Sequence, residues 1–225
     1  MSSKDPGRET RPARSDRGGE DGGASPHTLP AAGDKHGWRV RFRARRAAAA
    51  QEDLRAESES LAATWRTEIL TTLPRGATVC AYVPTETEPG GVRMLDDALA
   101  AGLRVLVPVT GAPGPLSWAQ YTGSGSLRPA RYGLLEPPGP VLAPSAIAGA
   151  TLILVPAVAV DLRGVRLGRG GGYYDRTLPL AAPGAAMVCV VGDGELVDEL
   201  PEDPHDVRVG TVLTPRRGVV RIDRH

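Results

Sequence analysis

The sequence has few cysteines, almost no net charge and no long hydrophobic run, and each shortage excludes a class of protein. Two cysteines, Cys80 and Cys189, are too few for a disulfide framework, and each lies in an apolar run, which predicts buried, reduced thiols. The net charge of +1 gives no electrostatic case for a nucleic-acid or anionic-membrane partner. No apolar stretch reaches the roughly 18 residues of a membrane-spanning helix, and no secretory signal is recognisable. We therefore expect a cytoplasmic protein without membrane or nucleic-acid partners.

The first part of the chain differs from the rest in composition. Residues 1–34 contain no Ile, Val, Phe, Tyr or Trp, so they cannot bury enough apolar surface to offset the entropy of ordering. We predict a disordered tail, and its nearly cancelling charges favour a solvated leader over an interaction arm. Residues 35–225 are long enough for one well-packed domain, which we expect to act as a monomer.

Hydrophobic periodicity predicts an α/β fold. Apolar residues recur at helical spacing over residues 38–72 and again over residues 92–103. Short β-branched or apolar runs predict strands at residues 78–83, 104–109, 116–121, 152–160 and 187–191. The last two runs are nearly all apolar, as strands buried on both faces would be. Strands alternating with helices indicate a three-layer, Rossmann-like arrangement, in which helices flank a mixed or mostly parallel sheet.

One segment, RLGRGGGYYD at residues 166–175, joins glycines, arginines, tyrosines and a carboxylate downstream of an apolar run. Glycines let backbone N–H groups approach an anion closely, and Arg166 and Arg169 can add charge-assisted forks to phosphate oxygens. Asp175 can hold a magnesium ion beside them. The segment also follows a predicted strand and precedes a short helical stretch near residues 176–180, where α/β sheets bind anionic ligands. The alternative is a surface loop whose glycines only turn the chain.

Familiar nucleotide motifs do not fit this segment. A dinucleotide fingerprint starting at Gly168 needs glycine or alanine where Tyr173 stands, and no glycine-lysine-serine/threonine run exists. With VPAVAVD at residues 155–161 and Gly164 before it, the segment instead resembles the signature of the 5-formyltetrahydrofolate cyclo-ligase family, also called methenyltetrahydrofolate synthetases. Further resemblances occur in order along residues 35–220, at KHGWR (35–39), YVP (82–84), EP (88–89), YG (132–133), EP (136–137) and from 200 to 214.

The resemblance implies an enzyme that uses ATP, with magnesium as cofactor, to close 5-formyltetrahydrofolate to 5,10-methenyltetrahydrofolate, releasing ADP and phosphate. Transfer of the γ-phosphoryl group to the formyl oxygen would make an iminium-like phosphate ester that the second nitrogen can attack. Such transfer depends on positioning and charge neutralisation, which suits cations and a glycine cradle better than a nucleophilic side chain.

The resemblance also implies the site residues. It implies ATP contacts at Lys35, Arg39, Arg166, Leu167, Gly168, Arg169, Gly170, Gly171, Gly172, Tyr173 and Tyr174. It implies folate contacts at Val83, Glu88, Tyr132, Arg169, Gly170, Gly171, Gly172 and Tyr173. Catalysis is implied for Arg169 and Tyr173, and magnesium binding for Asp175 and Asp206.

From the residues alone, several of these assignments have rivals. Lys35 and Arg39 share a helix face, but the arginines between residues 39 and 46 are also compatible with a solvated charged face. Val83 is compatible with ordinary core packing. For Glu88 the alternative is simple solvent exposure. Trp118 and Tyr132 are candidate aromatic surfaces for the folate, and their alternative is core packing. For His205 and Asp206 the alternative is a solvated acidic loop.

Two positions depart from the family pattern. Val160 stands where an aromatic residue is frequent, and Gly171 where some members carry lysine, so catalysis would depend more on Arg169. Two other classes of function are open. One is a folate-binding protein without efficient turnover, which retention of the whole RLGRGGGYYD segment disfavours. The other is a sugar-phosphate isomerase or acyl-transfer relative built on a similar sheet.

Overall fold

The computed structural model describes residues 33–222, apart from the side chain of Tyr132. The predicted tail thus lies outside the described residues, except for Gly33 and Asp34. The α-helices are α1 (Lys35–Ala47), α2 (Gln51–Thr64), α3 (Val92–Ala100) and α4 (Tyr173–Thr177). The strands are β1 (Thr78–Cys80), β2 (Arg104–Val109), β3 (Ser117–Gln120), β4 (Arg128–Pro129), β5 (Leu135–Glu136), β6 (Ala150–Pro156), β7 (Ala159–Asp161), β8 (Arg166–Leu167), β9 (Ala186–Val190), β10 (Leu196–Val197), β11 (Thr211–Thr214) and β12 (Gly218–Arg221).

Seven strands form the central sheet, in the order β12-β11-β9-β6-β1-β2-β3. The inner strands, from β11 to β2, run parallel, and the two edge strands, β12 and β3, are antiparallel to their neighbours. Helices cover both faces of this sheet. The predicted three-layer, mostly parallel α/β fold is therefore confirmed.

Side chains of the inner strands alternate between two hydrophobic cores. In β6, Leu152 and Leu154 belong to the core beneath α2 and α3, whereas Ile153 and Val155 belong to the core on the opposite face. A strand whose two faces both pack into a core needs apolar side chains on both, which explains the continuous apolar run from Leu152 to Val155. Cys80 and Cys189 are buried free thiols, as predicted, and burial raises the pKa of each to about 12.

The single helix predicted over residues 38–72 is wrong, because α1 and α2 are separate elements with residues 48–50 between them. Their apolar faces pack on different sheets. Trp38 and Phe42 of α1 pack on a small sheet with the order β10-β7-β8, whereas Leu61 of α2 packs on the central sheet. After α2 the chain continues through a π-helical turn and a 3-10 turn to Thr72.

The single strand predicted over residues 152–160 is also divided. Strand β6 ends at Pro156, whose nitrogen carries no hydrogen for a further ladder bond, and β7 begins in the small sheet. Strands β11 and β12, for which no prediction was made, complete the other edge of the central sheet. Within residues 33–222, no helix combines the length and apolarity needed to cross a membrane.

The strand order reverses between β1 and β6. From β1 the chain moves to β2 on one side, and β6 later pairs with β1 on the other side. A crevice opens where the carboxyl ends of two such strands diverge, and open α/β sheets bind ligands there. Val83 and Glu88 follow β1, while β6 leads through β7 and β8 to the glycine-rich segment. The topology thus brings the two predicted ligand-binding segments to one edge of the sheet.

Candidate active site

A glycine loop, Gly168–Gly172, connects β8 to α4. Two of its residues have left-handed backbone conformations, with φ of 101° at Gly170 and 66° at Gly172, which favour glycine over any residue with a Cβ. Helix α4 follows at once and spans only Tyr173–Thr177, so it begins three residues earlier than the predicted helical stretch near 176–180. The loop is therefore a tight backbone turn rather than the start of a long helix.

Helix α1 holds this loop through arginine side chains. The Nε of Arg39 donates to the Gly168 carbonyl at 2.9 Å, and a terminal nitrogen of Arg43 donates to the Arg169 carbonyl at 3.0 Å. In a trans peptide the N–H points opposite to the carbonyl. The N–H groups of Arg169 and Gly170 therefore point away from these guanidinium groups. The solvated-face alternative is wrong for Arg46, which is buried, and for Arg39, which is half-buried against the loop, whereas Arg43 is exposed.

Arg166 lies beneath the loop and not in open solvent. Its side chain is buried, forms an ion pair with Asp175, and lies 5.9 Å from the centroid of the Tyr174 ring. Burial raises the pKa of the Tyr174 hydroxyl above its ordinary value, so this group stays protonated. Arg166 thus fixes the carboxylate predicted to bind magnesium, while its guanidinium forms part of the floor of the site.

Glu88 and Arg169 pair across the crevice. A terminal nitrogen of Arg169 lies 3.0 Å from Glu88 Oε1, and the second carboxylate oxygen accepts from the backbone N–H of Thr85 at 2.9 Å. The Glu88 side chain is 6% exposed, against 48% for Arg169. The alternative that Glu88 merely faces water is therefore wrong, because its carboxylate is buried and oriented.

Lys35 pairs with two carboxylates from the segment after β10. Its Nζ lies 2.6 Å from Oδ2 of Asp203 and 2.6 Å from Oδ2 of Asp206. Burial alone would lower the pKa of Lys35, but the hydrogen bonds to both aspartates offset this and raise it above its ordinary value. The Asp206 side chain is 9% exposed, so the solvated-loop alternative is wrong for it.

These groups line one cleft of about 550 Å³. It contains every predicted site residue whose side chain is described: Lys35, Arg39, Val83, Glu88, Arg166, Leu167, Gly168, Arg169, Gly170, Gly171, Gly172, Tyr173, Tyr174, Asp175 and Asp206. The side chain of Tyr132 lies outside the described residues. Trp118 is fully buried in the second core, so the core-packing alternative is the correct one for it.

Sequence reasoning missed several residues of this cleft. Asp203 and Tyr82 line it, and Glu136 accepts from the Thr110 N–H at 2.8 Å at its apolar side. Arg43, which does not line the cleft but contacts the Arg169 carbonyl of the glycine loop, had a visible signal, since it continues the four-residue spacing of Lys35 and Arg39 on one helix face. Tyr82 and Glu136 lie in the YVP and EP segments that resemble the family, whereas Asp203 carries no local pattern that separates it from an ordinary loop residue.

The family model described as the 5-formyltetrahydrofolate cyclo-ligase family matches residues 31–215. This chain belongs to that family. The family match covers all the elements that line the cleft, from α1 to the segment of Asp206.

Curated relatives of this chain carry the name 5-formyltetrahydrofolate cyclo-ligase. The protein from Mycolicibacterium smegmatis is 53% identical over 152 residues, which is 65% of this chain and 78% of the relative. The Escherichia coli K12 protein is 30% identical over 143 residues, which is 62% of this chain and 79% of the relative.

Solved structures of 5,10-methenyltetrahydrofolate synthetases share the fold of this cyclo-ligase family member. The Aquifex aeolicus structure superposes with a TM-score of 0.69 at 26% identity, covering 84% of this chain and 93% of that one. The Mycoplasma pneumoniae structure gives 0.64 at 18% identity, covering 80% and 97%, and supports the fold alone.

Proposed function

We propose that the protein converts 5-formyltetrahydrofolate to 5,10-methenyltetrahydrofolate while ATP is hydrolysed to ADP and phosphate. The observation that carries this proposal is the cleft itself. One wall presents cations from α1 and the glycine loop, and the opposite wall presents a buried carboxylate after β1. Family membership supports the reaction, and the cleft supports two ligands of different chemistry that meet at Arg169.

In the proposed reaction, the cations Lys35, Arg39 and Arg169 bind the ATP phosphates. Arg169 lies between the phosphate side and Glu88, so its guanidinium can stay paired with the γ-phosphoryl oxygens and stabilise the charge that develops during transfer. Tyr173 lines the cleft with its hydroxyl 3.5 Å from the Gly111 carbonyl, and we propose that it orients the formyl group. Positioning and charge neutralisation, rather than a covalent nucleophile, would lower the barrier.

Glu88 is proposed to accept hydrogen bonds from the N–H groups of the pterin. Its Oε1 pairs with Arg169, and a bound phosphate can attract the Arg169 guanidinium and free this oxygen for the pterin. Its Oε2 is held by the backbone N–H of Thr85. A carboxylate held in this way can accept donors with little loss of side-chain entropy. Val83 and Tyr82 line the same side of the cleft and would contact the flat ring.

The residues present fit a magnesium ion. Magnesium prefers carboxylate oxygens, water and phosphate oxygens. Asp175 and Asp206 both line the cleft, and ligand atoms of Asp203, His205 and Asp206 lie within 4.8 Å of one another. Asp175 and Asp206 are proposed to hold the ion. When bound it would neutralise phosphate charge during transfer.

The test is an assay of the purified full chain with ATP, magnesium and 5-formyltetrahydrofolate, followed by the near-ultraviolet absorbance of the methenyl product. Product should form only when all three are present, with ADP in equal amount. Tight folate binding without product would contradict the proposed turnover and favour a sequestering protein. Monomeric state and cytoplasmic location stay predictions.

Glu88→Gln is expected to raise KM for the folate by about 10-fold to 100-fold and to change KM for ATP far less. The substitution keeps the shape but removes the charge, and a hydrogen bond to a charged group is worth roughly 1.5–3 kcal/mol. Steady-state kinetics with each substrate varied in turn measures the two constants.

Glu136→Gln is a matched control for this variant. Glu136 also lines the cleft, but its carboxylate accepts from the backbone N–H of Thr110. It should therefore show no folate-selective effect. Equal changes in both KM values for the Glu88 variant would assign Glu88 to the architecture of the cleft and not to pterin binding.

A further inference from the structure

The ammonium of Lys35 occupies the position that a cation would take among the acidic groups of the cleft. It lies 2.6 Å from both Asp203 and Asp206, and its side chain is 18% exposed. His205 adds a third possible ligand atom within 4.8 Å of the carboxylate oxygens. One of the two carboxylate charges is therefore already balanced by an ammonium of the chain itself.

An ammonium and a divalent cation cannot share these oxygens at low cost. Magnesium requires oxygen ligands at roughly 2.0–2.1 Å and loses water reluctantly. Free magnesium would have to displace Lys35 and leave a partly buried ammonium without its partners, which is unfavourable. A polyphosphate changes this balance, because its oxygens offer the displaced ammonium a new anionic partner.

Lys35 can make this exchange without movement of the helix. It is the first residue of α1, where Asp34 caps the helix by accepting from the Gly37 N–H at 2.7 Å. The other end of α1 is anchored by Arg46, which is buried and paired with Glu195. A flexible four-carbon side chain can therefore move between carboxylate and phosphate while the backbone stays fixed.

We propose that Lys35 is an exchangeable counter-ion, held by Asp203, that makes divalent-cation binding at Asp206 depend on the nucleotide. This inference rests on the proposed function, which assigns Asp206 to magnesium. It gives Asp203 a positioning role, because its carboxylate binds the ammonium and its backbone N–H donates to Asp206 Oδ2 at 2.8 Å. The site then selects a metal–polyphosphate pair over the free metal ion.

Binding of Mn²⁺ to the full chain tests this inference without any catalytic readout. Free Mn²⁺ is measured by electron paramagnetic resonance, with and without a non-hydrolysable ATP analogue. The wild-type protein should bind Mn²⁺ weakly alone and at least about 10-fold more tightly with the analogue, as expected for a coupling free energy of typical size. Lys35→Met should bind Mn²⁺ alone at least about 10-fold more tightly than wild type, since the competing charge is gone.

Two variants serve as controls. Arg43→Met removes another cation of α1, one that contacts the Arg169 carbonyl and not a carboxylate, and should leave binding of Mn²⁺ alone unchanged. Lys35→Arg keeps the positive charge and, unlike Lys35→Met, should bind Mn²⁺ alone as weakly as the wild-type protein does. A thermal melt of each variant verifies that it is folded, and Lys35→Gln replaces Lys35→Met if the latter is not.

The outcomes separate this inference from the proposed function. Equal binding of Mn²⁺ alone by wild type and Lys35→Met, with Asp206→Asn abolishing the binding seen with the analogue, would overturn the counter-ion role and keep the magnesium assignment. If wild type binds no Mn²⁺ even with the analogue, the magnesium assignment fails and the counter-ion role fails with it.

Discussion

Arg169→Ala is expected to lower kcat by about 10²-fold to 10³-fold, because a preorganised cation that meets developing charge is worth roughly 3–4 kcal/mol in the transition state. The guanidinium lies on the glycine loop at 3.0 Å from Glu88, at the junction of the proposed phosphate and folate sides. Its removal should leave the fold intact, because Arg169 itself is half-exposed and the Glu88 carboxylate keeps the backbone N–H of Thr85 as a hydrogen-bond donor.

Steady-state kinetics and a thermal melt measure both effects. Arg176→Ala is the matched control, because Arg176 is an exposed arginine next to the same loop and donates to the Gly171 carbonyl at 2.8 Å. Arg176 does not line the cleft within the described residues, so its loss should affect kcat far less. Near-wild-type turnover by Arg169→Ala would mean that Arg169 does not stabilise the transition state and only holds Glu88 in place.

The fold was predictable where the signal is local. Strands buried on both faces, such as β6 and β9, need apolar side chains on both faces, and a continuous apolar run is visible in each sequence. The break between α1 and α2 was not visible. An alanine run is compatible with one continuous helix, and only the two different packing surfaces of Trp38 and Leu61 separate the elements.

The candidate site was predictable for the glycine loop, because its residues are adjacent in sequence and match a family signature. It was not predictable for pairs that join distant segments. Lys35 and Asp203 are separated by 168 positions, and neither has a local pattern that indicates the other. The same holds for Arg46, which in the sequence was one arginine of a basic run and in the fold is a buried residue.

Arg46 and Glu195 form the buried ion pair that fixes the C-terminal end of α1. The guanidinium donates to both carboxylate oxygens, at 2.7 and 2.8 Å, and to the Ala157 carbonyl at 2.9 Å. The two side chains are 8% and 5% exposed. Because α1 also carries Lys35 and Arg39, this pair connects the stability of the helix to the position of the proposed phosphate contacts.

Arg46→Met is expected to lower the free energy of unfolding by about 3–5 kcal/mol, because Glu195 would stay buried without its counter-charge. Urea unfolding measures this change. Arg45→Met is the control: Arg45 is the preceding residue and donates to the Gly194 carbonyl at 2.8 Å from an exposed position. Its replacement should cost about 0.5 kcal/mol or less, as for most surface substitutions.

The double variant Arg46→Met/Glu195→Leu distinguishes the charge pair from packing. Replacing both partners of a buried pair with apolar residues is often neutral or even stabilising, so the double variant should recover most of the stability lost in Arg46→Met. Its KM for ATP should nevertheless exceed the wild-type value, because the Ala157 carbonyl loses its donor and α1 is held less firmly over the glycine loop. Additive losses in the double variant would mean that Arg46 stabilises α1 through its contacts with the backbone, and that its pairing with Glu195 contributes little.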